Sequence, residues 1–241
     1  MKGRTIAAVI TAAGASTRMG GIKKEYRPLG DGRVDAEGKP ITVLGSAVLA
    51  FASCPDIAYI VITVPNNPEN GEIKARSCLP ALPDGPIKKP KILFVPGAGS
   101  RRASVHHALA LLTAYDVDYV LIHDGARPWV QASLIQRLID AVILNQAVIP
   151  VLPLVETPKE ISSEGLITRH LRRASIVSAQ TPQAFAFTKI LSAHERAEQE
   201  ELELGKEFTD DAEVWGQFIG PVYTIQGDLG NKKITFPEDL P

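Results

Sequence analysis

Five short, almost unbroken apolar runs are spaced along the chain: Thr5–Thr11, Tyr59–Val64, Ile92–Val95, Tyr119–His123 and Ala147–Val151. Runs of this length, without polar alternation, mark strands covered on both faces. Between them, Ile41–Ser53, Arg101–Ala114 and Ala132–Asn145 place apolar residues at helical spacing. Alternating strand and helix predicts an α/β fold with a mostly parallel sheet. The chain has 241 residues, 45% of them hydrophobic, which is enough for such a core. In sheets of this kind ligands sit beyond the carboxyl ends of the strands. The residues just after each run are therefore where chemistry is expected.

Three segments interrupt the alternation. Gly30–Pro40 is polar with three glycines and reads as an exposed insertion. Asn66–Pro90 is rich in Pro, Gly and Asn and reads as loop around a short helix at Glu72–Cys78. Pro153–Ile176 carries Pro153, Pro158, Gly165 and several charges, and reads as an extended arm or hairpin leaving the sheet.

Formal net charge is −1, so no basic excess points to nucleic acid and no acidic excess to a disordered tail. Anions must then be bound by locally placed cations. The two cysteines, Cys54 and Cys78, lack metal-type spacing and fit a reducing setting. No run of about 20 apolar residues spans a membrane. The expectation is a soluble, cytoplasmic protein.

The first run ends in Thr11-Ala12-Ala13-Gly14-Ala15-Ser16-Thr17-Arg18-Met19-Gly20. Small residues there let a backbone approach phosphate, and Arg18 and the nearby Lys24 supply positive charge. The loop is neither a P-loop nor the dinucleotide-binding glycine pattern. On its own it suits a phosphate cradle or a plain strand–helix turn equally. After the third run, Pro96-Gly97-Ala98-Gly99-Ser100-Arg101-Arg102-Ala103-Ser104 leads into a helix. It offers either an anion site at the helix N-terminus or an ordinary start capped by Ser100. After the fourth, His123-Asp124-Gly125-Ala126-Arg127-Pro128 sets an acid beside an arginine. That pair suits a substrate site or a turn-shaping contact. Asp210 and Asp211 suit either a site or the cap of a helix through Trp215.

Taken in order, these motifs resemble the 2-C-methyl-D-erythritol 4-phosphate cytidylyltransferase family. The resemblance runs from about Ile6 to Leu240 and includes Lys24-Glu25-Tyr26, Thr181-Pro182-Gln183, Thr209-Asp210-Asp211-Ala212 and Lys233-Ile234-Thr235. It implies a single Rossmann-like domain over residues 1–241, a mostly parallel central sheet flanked by helices, and a protruding β-arm at about 153–176 used in dimerisation. It implies cytidylyl transfer from CTP to the sugar-alcohol phosphate, with release of pyrophosphate and with Mg2+ bridging the phosphates rather than a metal held by protein ligands. Catalytic roles fall on Arg18, Lys24, Arg173 and Lys233. Ala12, Ala13, Gly14, Gly97 and Ser104 would contact CTP. Asp124, Arg127 and Thr181 would hold the sugar phosphate, and Thr157 and Arg173 would reach the partner's site in an arm-exchanged homodimer.

This sequence departs from the family pattern in places. Lys23 stands where a proline is usual, which leaves open whether Lys23 or Lys24 enters the site, although Tyr26 favours Lys24. Gly99 stands where an acidic residue is common, Pro158 lies within the arm, and Gly30–Pro40 is longer than usual. A phosphate monoester is largely dianionic at neutral pH, with a second pKa of about 6, so it attacks without a strong base. The protein's task is positioning and charge neutralisation. The alternatives are a ribitol-5-phosphate cytidylyltransferase, a hexose-1-phosphate nucleotidyltransferase and a non-catalytic binding protein. An NAD-dependent oxidoreductase is disfavoured by the missing glycine fingerprint.

Overall fold

A computed structural model describes residues 4–14, 16, 19, 23–67, 71–82 and 88–241. Five parallel-type strands anticipated from sequence are present: β1 (Ile6–Thr11), β2 (Ile57–Val64), β3 (Lys91–Pro96), β4 (Tyr119–Asp124) and β5 (Ala147–Pro153). Helices α1 (Val43–Ala52), α2 (Gly71–Ser77), α3 (Arg101–Leu112) and α4 (Ala132–Asn145) lie between them. Further on come β6 (Lys159–Ile161), β7 (Ile167–His170), β8 (Val177–Ala179), β9 (Gln183–Ala186), α5 (Phe187–Leu204), α6 (Asp211–Phe218) and β10 (Tyr223–Gln226).

The main sheet runs β10-β5-β9-β4-β1-β2-β3, with β8 paired to β5. Strand β1 pairs in parallel with β2 and β4, as do β2 with β3 and β5 with β10. Strand β9 is antiparallel to both β4 and β5, and β8 is antiparallel to β5. The sheet is thus mostly parallel, as expected, and the domain is α/β.

The unbroken apolar runs have a direct cause. Along β1, Ile6, Ala8 and Ile10 enter one core with Leu44 and Phe51 of α1 and Leu134 and Leu138 of α4. Ala7 and Val9 face a second core with Leu109 of α3, Ile190 of α5 and Trp215 of α6. Both faces of the strand need apolar side chains, so the period-2 pattern of a one-sided sheet is lost.

Helix bounds follow their caps. Helix α1 begins at Val43 rather than Ile41 because the Thr42 hydroxyl accepts a hydrogen bond from Gly45 N at 2.9 Å. The Gly30–Pro40 insertion is exposed. It turns through Gly30, Gly32 and Gly38, all with φ between 78° and 86°, where side chains other than glycine's are strained. In the expected arm, β6 and β7 form a separate antiparallel hairpin with every strand residue exposed.

Candidate active site

Register brings the site together. Thr11 of β1 pairs with Thr63 of β2 on one side and Asp124 of β4 on the other, at the carboxyl ends of three neighbouring strands. The loops leaving these strands and β3 enclose a cleft of about 430 Å³. One wall is Ala13, Gly14, Ser16, Lys24 and Glu25. The other is Ala98–Arg101 with Ser104, and the floor carries Asp124, Lys233 and Thr235. The two loops touch because residue 97 has no side chain: a Cβ on Gly97 would stand 2.2 Å from Cβ of Ala13. A Cβ on Gly99, inside the cleft, would meet nothing within 4 Å.

Asp124 is the electrostatic centre. Its carboxylate meets Lys233 Nζ at 2.7 Å, Arg101 Nε at 3.3 Å and Arg127 Nε at 3.7 Å. Burial alone would push its pKa up. Arg101, Lys233 and Arg127 outweigh burial and hold it well below the usual carboxylate range. The segment carrying Lys233 is pinned beside β4: Ile234 N donates to Ala126 O at 2.9 Å, and Arg127 Nη1 donates to Asn231 O at 2.8 Å. Across the cleft, burial raises the Glu25 carboxyl, which accepts from Ser16 Oγ at 3.3 Å.

His123 sits beneath Asp124, fully buried. The Thr181 hydroxyl accepts from Asp124 N at 3.0 Å, so its own proton is available to His123 Nδ1 at 3.1 Å. Nε2 then carries the ring proton and donates to Arg127 O at 3.2 Å. Both nitrogens are used by a neutral ring, and burial pushes its pKa down to about 4. The unfolded chain takes up this proton below about pH 6.5, and the folded chain only near pH 4. The stability from the neutral ring is therefore complete above about pH 6.5 and is lost as pH falls toward 4. At pH 5 the loss is about 2 kcal/mol. Urea unfolding at pH 7 and 5 should show that loss in the wild type and not in His123→Gln. Equal losses in both proteins would assign the pH dependence elsewhere.

The residues singled out from sequence divide into groups. Ala13, Gly14, Lys24, Ser104, Asp124 and Lys233 line the cleft together. Ala12, expected beside CTP, is instead buried behind the loop; its N–H reaches Thr63 O at 3.1 Å and its carbonyl accepts from Tyr26 Oη at 3.1 Å. Gly97, Arg127 and Thr181 likewise support the cleft from behind rather than line it. Thr157 and Arg173 are exposed on the arm and do not line the cleft of their own chain. Arg18 lies outside the described residues. Lys24 is buried and lines the cleft, whereas the Lys23 ammonium donates to the carbonyls of Ala13 and Gly14. Of the two lysines, Lys24 is the one that lines the cleft.

Sequence reasoning gave no separate role to Thr11 or Thr63, left Asp211 as either a site residue or a helix cap, and did not tell Arg101 from Arg102 in the helix entry. Arg101 and Arg102 are adjacent on α3, about 100° apart around it. Arg101 turns to the cleft, while Arg102 is buried against Glu201 of α5, with Nε to Oε2 at 2.7 Å. Helix phase relative to β4 was the missing signal. Asp210, which suited a cap from sequence, does cap α6, accepting from Glu213 N at 2.8 Å.

Residues 6–241 match the family model described as IspD, 2-C-methyl-D-erythritol 4-phosphate cytidylyltransferase. Among curated proteins, the chain is 39% identical over 236 residues to the bifunctional enzyme IspD/IspF of Bradyrhizobium sp. (strain ORS 278), covering 97% of this chain and 54% of that protein. It is 36% identical over 232 residues to the enzyme of the same name from Bartonella quintana (strain Toulouse), covering 95% of this chain and 54% of that one. The chain thus spans about half the length of these relatives. Among solved structures it resembles 4-diphosphocytidyl-2C-methyl-D-erythritol synthase from Anaerococcus prevotii DSM 20548, with a TM-score of 0.76, 26% identity and coverage of 99% of this chain and 96% of that one. It also resembles 2-C-methyl-D-erythritol 4-phosphate cytidylyltransferase from Thermus thermophilus, with a TM-score of 0.69, 28% identity and coverage of 98% and 95%.

Proposed function

The chain belongs to the 2-C-methyl-D-erythritol 4-phosphate cytidylyltransferase family, and from that premise we propose that it transfers a cytidylyl group from CTP to 2-C-methyl-D-erythritol 4-phosphate. A phosphate oxygen of the sugar alcohol attacks the α-phosphorus of CTP. The bond from that phosphorus to the bridging oxygen breaks, and pyrophosphate leaves with the electron pair. The observation that carries the reading is the Asp124 carboxylate ringed by Lys233, Arg101 and Arg127 at the strand ends, opposite Lys24. Such a floor fixes cations for a phosphate without neutralising them all, and the cleft wall brings another toward the triphosphate.

Arg18, from its position in the first loop, is proposed to share the triphosphate with Lys24. Lys233 is proposed to take the sugar phosphate, with Arg127 steadying Asp124 and the Lys233 segment from behind, and the backbone of Ala13, Gly14 and Ala98–Ser100 the nucleotide. No general base is required, because the attacking group is already anionic at neutral pH. Catalysis comes from alignment and from charge stabilised at the reacting phosphorus.

Magnesium fits this site only as a partner of the substrate. Among the described residues no group of three His, Cys, Asp or Glu side chains forms a metal cage. Asp124 is already engaged by three cations. A metal carried on triphosphate oxygens, most of its shell being water and phosphate, needs no such cage. When bound it would neutralise phosphate charge.

The arm is proposed to pair with a second copy of this chain. Val155, Ile161, Leu166, Ile167 and Val177 on or beside it are 52–78% exposed, an apolar surface that one chain leaves uncovered. Thr157 and Arg173 would then reach the partner's cleft. A cytoplasmic setting is consistent with Cys54 and Cys78 being unpaired. Among the described residues no helix is long and apolar enough to cross a membrane.

Pyrophosphate release with CTP, magnesium and either methylerythritol phosphate or ribitol 5-phosphate tests the reading. Turnover of methylerythritol phosphate with CTP, and little with UTP, is expected. Turnover of ribitol phosphate alone, or of neither polyol, would overturn it.

A further inference from the structure

Behind the cleft floor lies a charge that the transfer reaction does not use directly. Asp211, the first residue of α6, is fully buried and does not line the cleft. Its Oδ2 meets Arg101 Nη2 at 2.9 Å, and its Oδ1 meets Nε2 of the fully buried His194 at 3.3 Å. Burial works against the Asp211 charge, but Arg101 keeps its pKa below the ordinary range. Arg101 thus bridges two carboxylates on different elements: Asp124 at the end of β4 through Nε, and Asp211 at the start of α6 through Nη2.

We propose that Asp211 is a positioning residue: it draws the Arg101 guanidinium away from full engagement with Asp124, so that Arg101 keeps donors facing the cleft and Asp124 stays free to hold Lys233. The inference rests on the cytidylyltransferase reading for the reaction it serves. A guanidinium has five N–H donors. Nε donates to Asp124 and the Nη2 end is held beside Asp211, and the remaining donors are left for a bound anion. Without Asp211, the planar fork of Arg101 would close bidentately on Asp124, the geometry Arg and carboxylate favour. That would compete with the 2.7 Å contact between Lys233 and Asp124 and withdraw the guanidinium from the cleft. Floor charge also matters: Arg101, Arg127 and Lys233 carry three positive charges against the two negative charges of Asp124 and Asp211. His194 packs against the far oxygen of Asp211, at 3.3 Å from Nε2.

The test is a double-mutant cycle on the purified chain, with Asp211→Asn, Arg101→Met and the pair, read as kcat and KM in pyrophosphate release and accompanied by thermal melts. Asp211→Asn is expected to lower kcat about tenfold to a hundredfold, the scale of an ångström-level misplacement, with a smaller change in KM. The double variant should be no worse than Arg101→Met, because Asp211 acts through Arg101. Independent, multiplicative losses would overturn the proposal, as would wild-type kcat in Asp211→Asn. Should Asp211→Asn fail to fold, Arg101→Lys decides. It keeps the charge but cannot span both carboxylates, so it should be as slow as Arg101→Met; wild-type turnover would sink the idea. If the wild-type chain turns over no polyol phosphate, the function reading falls by itself. The coupling is then read in CTP affinity by calorimetry, where Asp211→Asn should weaken binding only when Arg101 is present. An equal effect in both backgrounds, or no binding of CTP by the wild type, would overturn it.

Discussion

Lys24→Met is expected to slow cytidylyl transfer by about a hundredfold or more while the protein stays folded, and Lys23→Met to leave kcat within a few fold of wild type. The two ammonium groups are neighbours in sequence but have different partners. Lys24 lies in a single helical turn, Lys24–Tyr26, and lines the cleft with only 7% of its surface exposed. Lys23 is spent on the carbonyls of Ala13 and Gly14. A cation beside charge that develops between the α- and β-phosphates stabilises the transition state more than the ground state. Losing one preorganised electrostatic contact costs about 2.7–4 kcal/mol, which is about a hundredfold or more in rate. Methionine keeps the apolar stem that packs in the turn and removes only the charge. Steady-state pyrophosphate release with a melting curve for each variant is the check. A slow Lys23→Met beside a normal Lys24→Met would reverse the assignment, and normal rates in both would shift the triphosphate's charge partner to Arg18 or magnesium.

The strands that build this site were legible because burial on both faces leaves a continuous apolar run, and β1 has that pattern for a visible reason: its alternate residues feed two cores. Strand β9 was not legible. It is four residues long, includes Gln183 and two alanines, and follows Pro182, yet it sits between β4 and β5. Only the partners on either side make it a strand. The site shows the same division. Glycine loops, Lys24, Asp124 and Lys233 follow strands or stand in local motifs, so their place in the cleft could be read from the chain. Arg101 and Asp211 could not, because their meeting depends on how α3 and α6 are rotated over the sheet. Gly97 was read as a CTP contact in a small-residue loop; that its missing side chain lets the loop approach Ala13 is seen only in the packed structure. The arm was read as an arm from its prolines and charges, and its hairpin is formed; what it pairs with is a matter for the assembly.

Asp124→Asn should combine a loss of turnover of a hundredfold or more with a loss of stability of about 3–5 kcal/mol, the cost of leaving buried cations without their anion. Asparagine preserves the shape, and the backbone bond from residue 124 N to Thr181 Oγ1 survives. What goes is the charge that Lys233, Arg101 and Arg127 share, and the amide nitrogen brings a donor toward groups that are themselves donors. The floor then carries excess positive charge, so pyrophosphate should bind as well as or better than in wild type and should recover part of the lost melting temperature by mass action. Tight product binding with slow transfer is the sign that Asp124 organises cations for the transition state rather than attracting phosphate. The pH dependence separates this residue from its neighbour. The folded pKa of Asp124 is depressed, so its contribution is complete above the unfolded carboxyl value of about 3.9 and fades only as pH falls below it. The stability gap between wild type and Asp124→Asn should therefore stay flat from about pH 5 to 8, where the His123-dependent loss is already under way. Urea unfolding across that range, with pyrophosphate titrations at neutral pH, checks both parts. A gap that opens and closes between pH 5 and 7 would mean that His123, not Asp124, sets the charge state of the floor, and wild-type turnover in the asparagine variant would remove Asp124 from the mechanism.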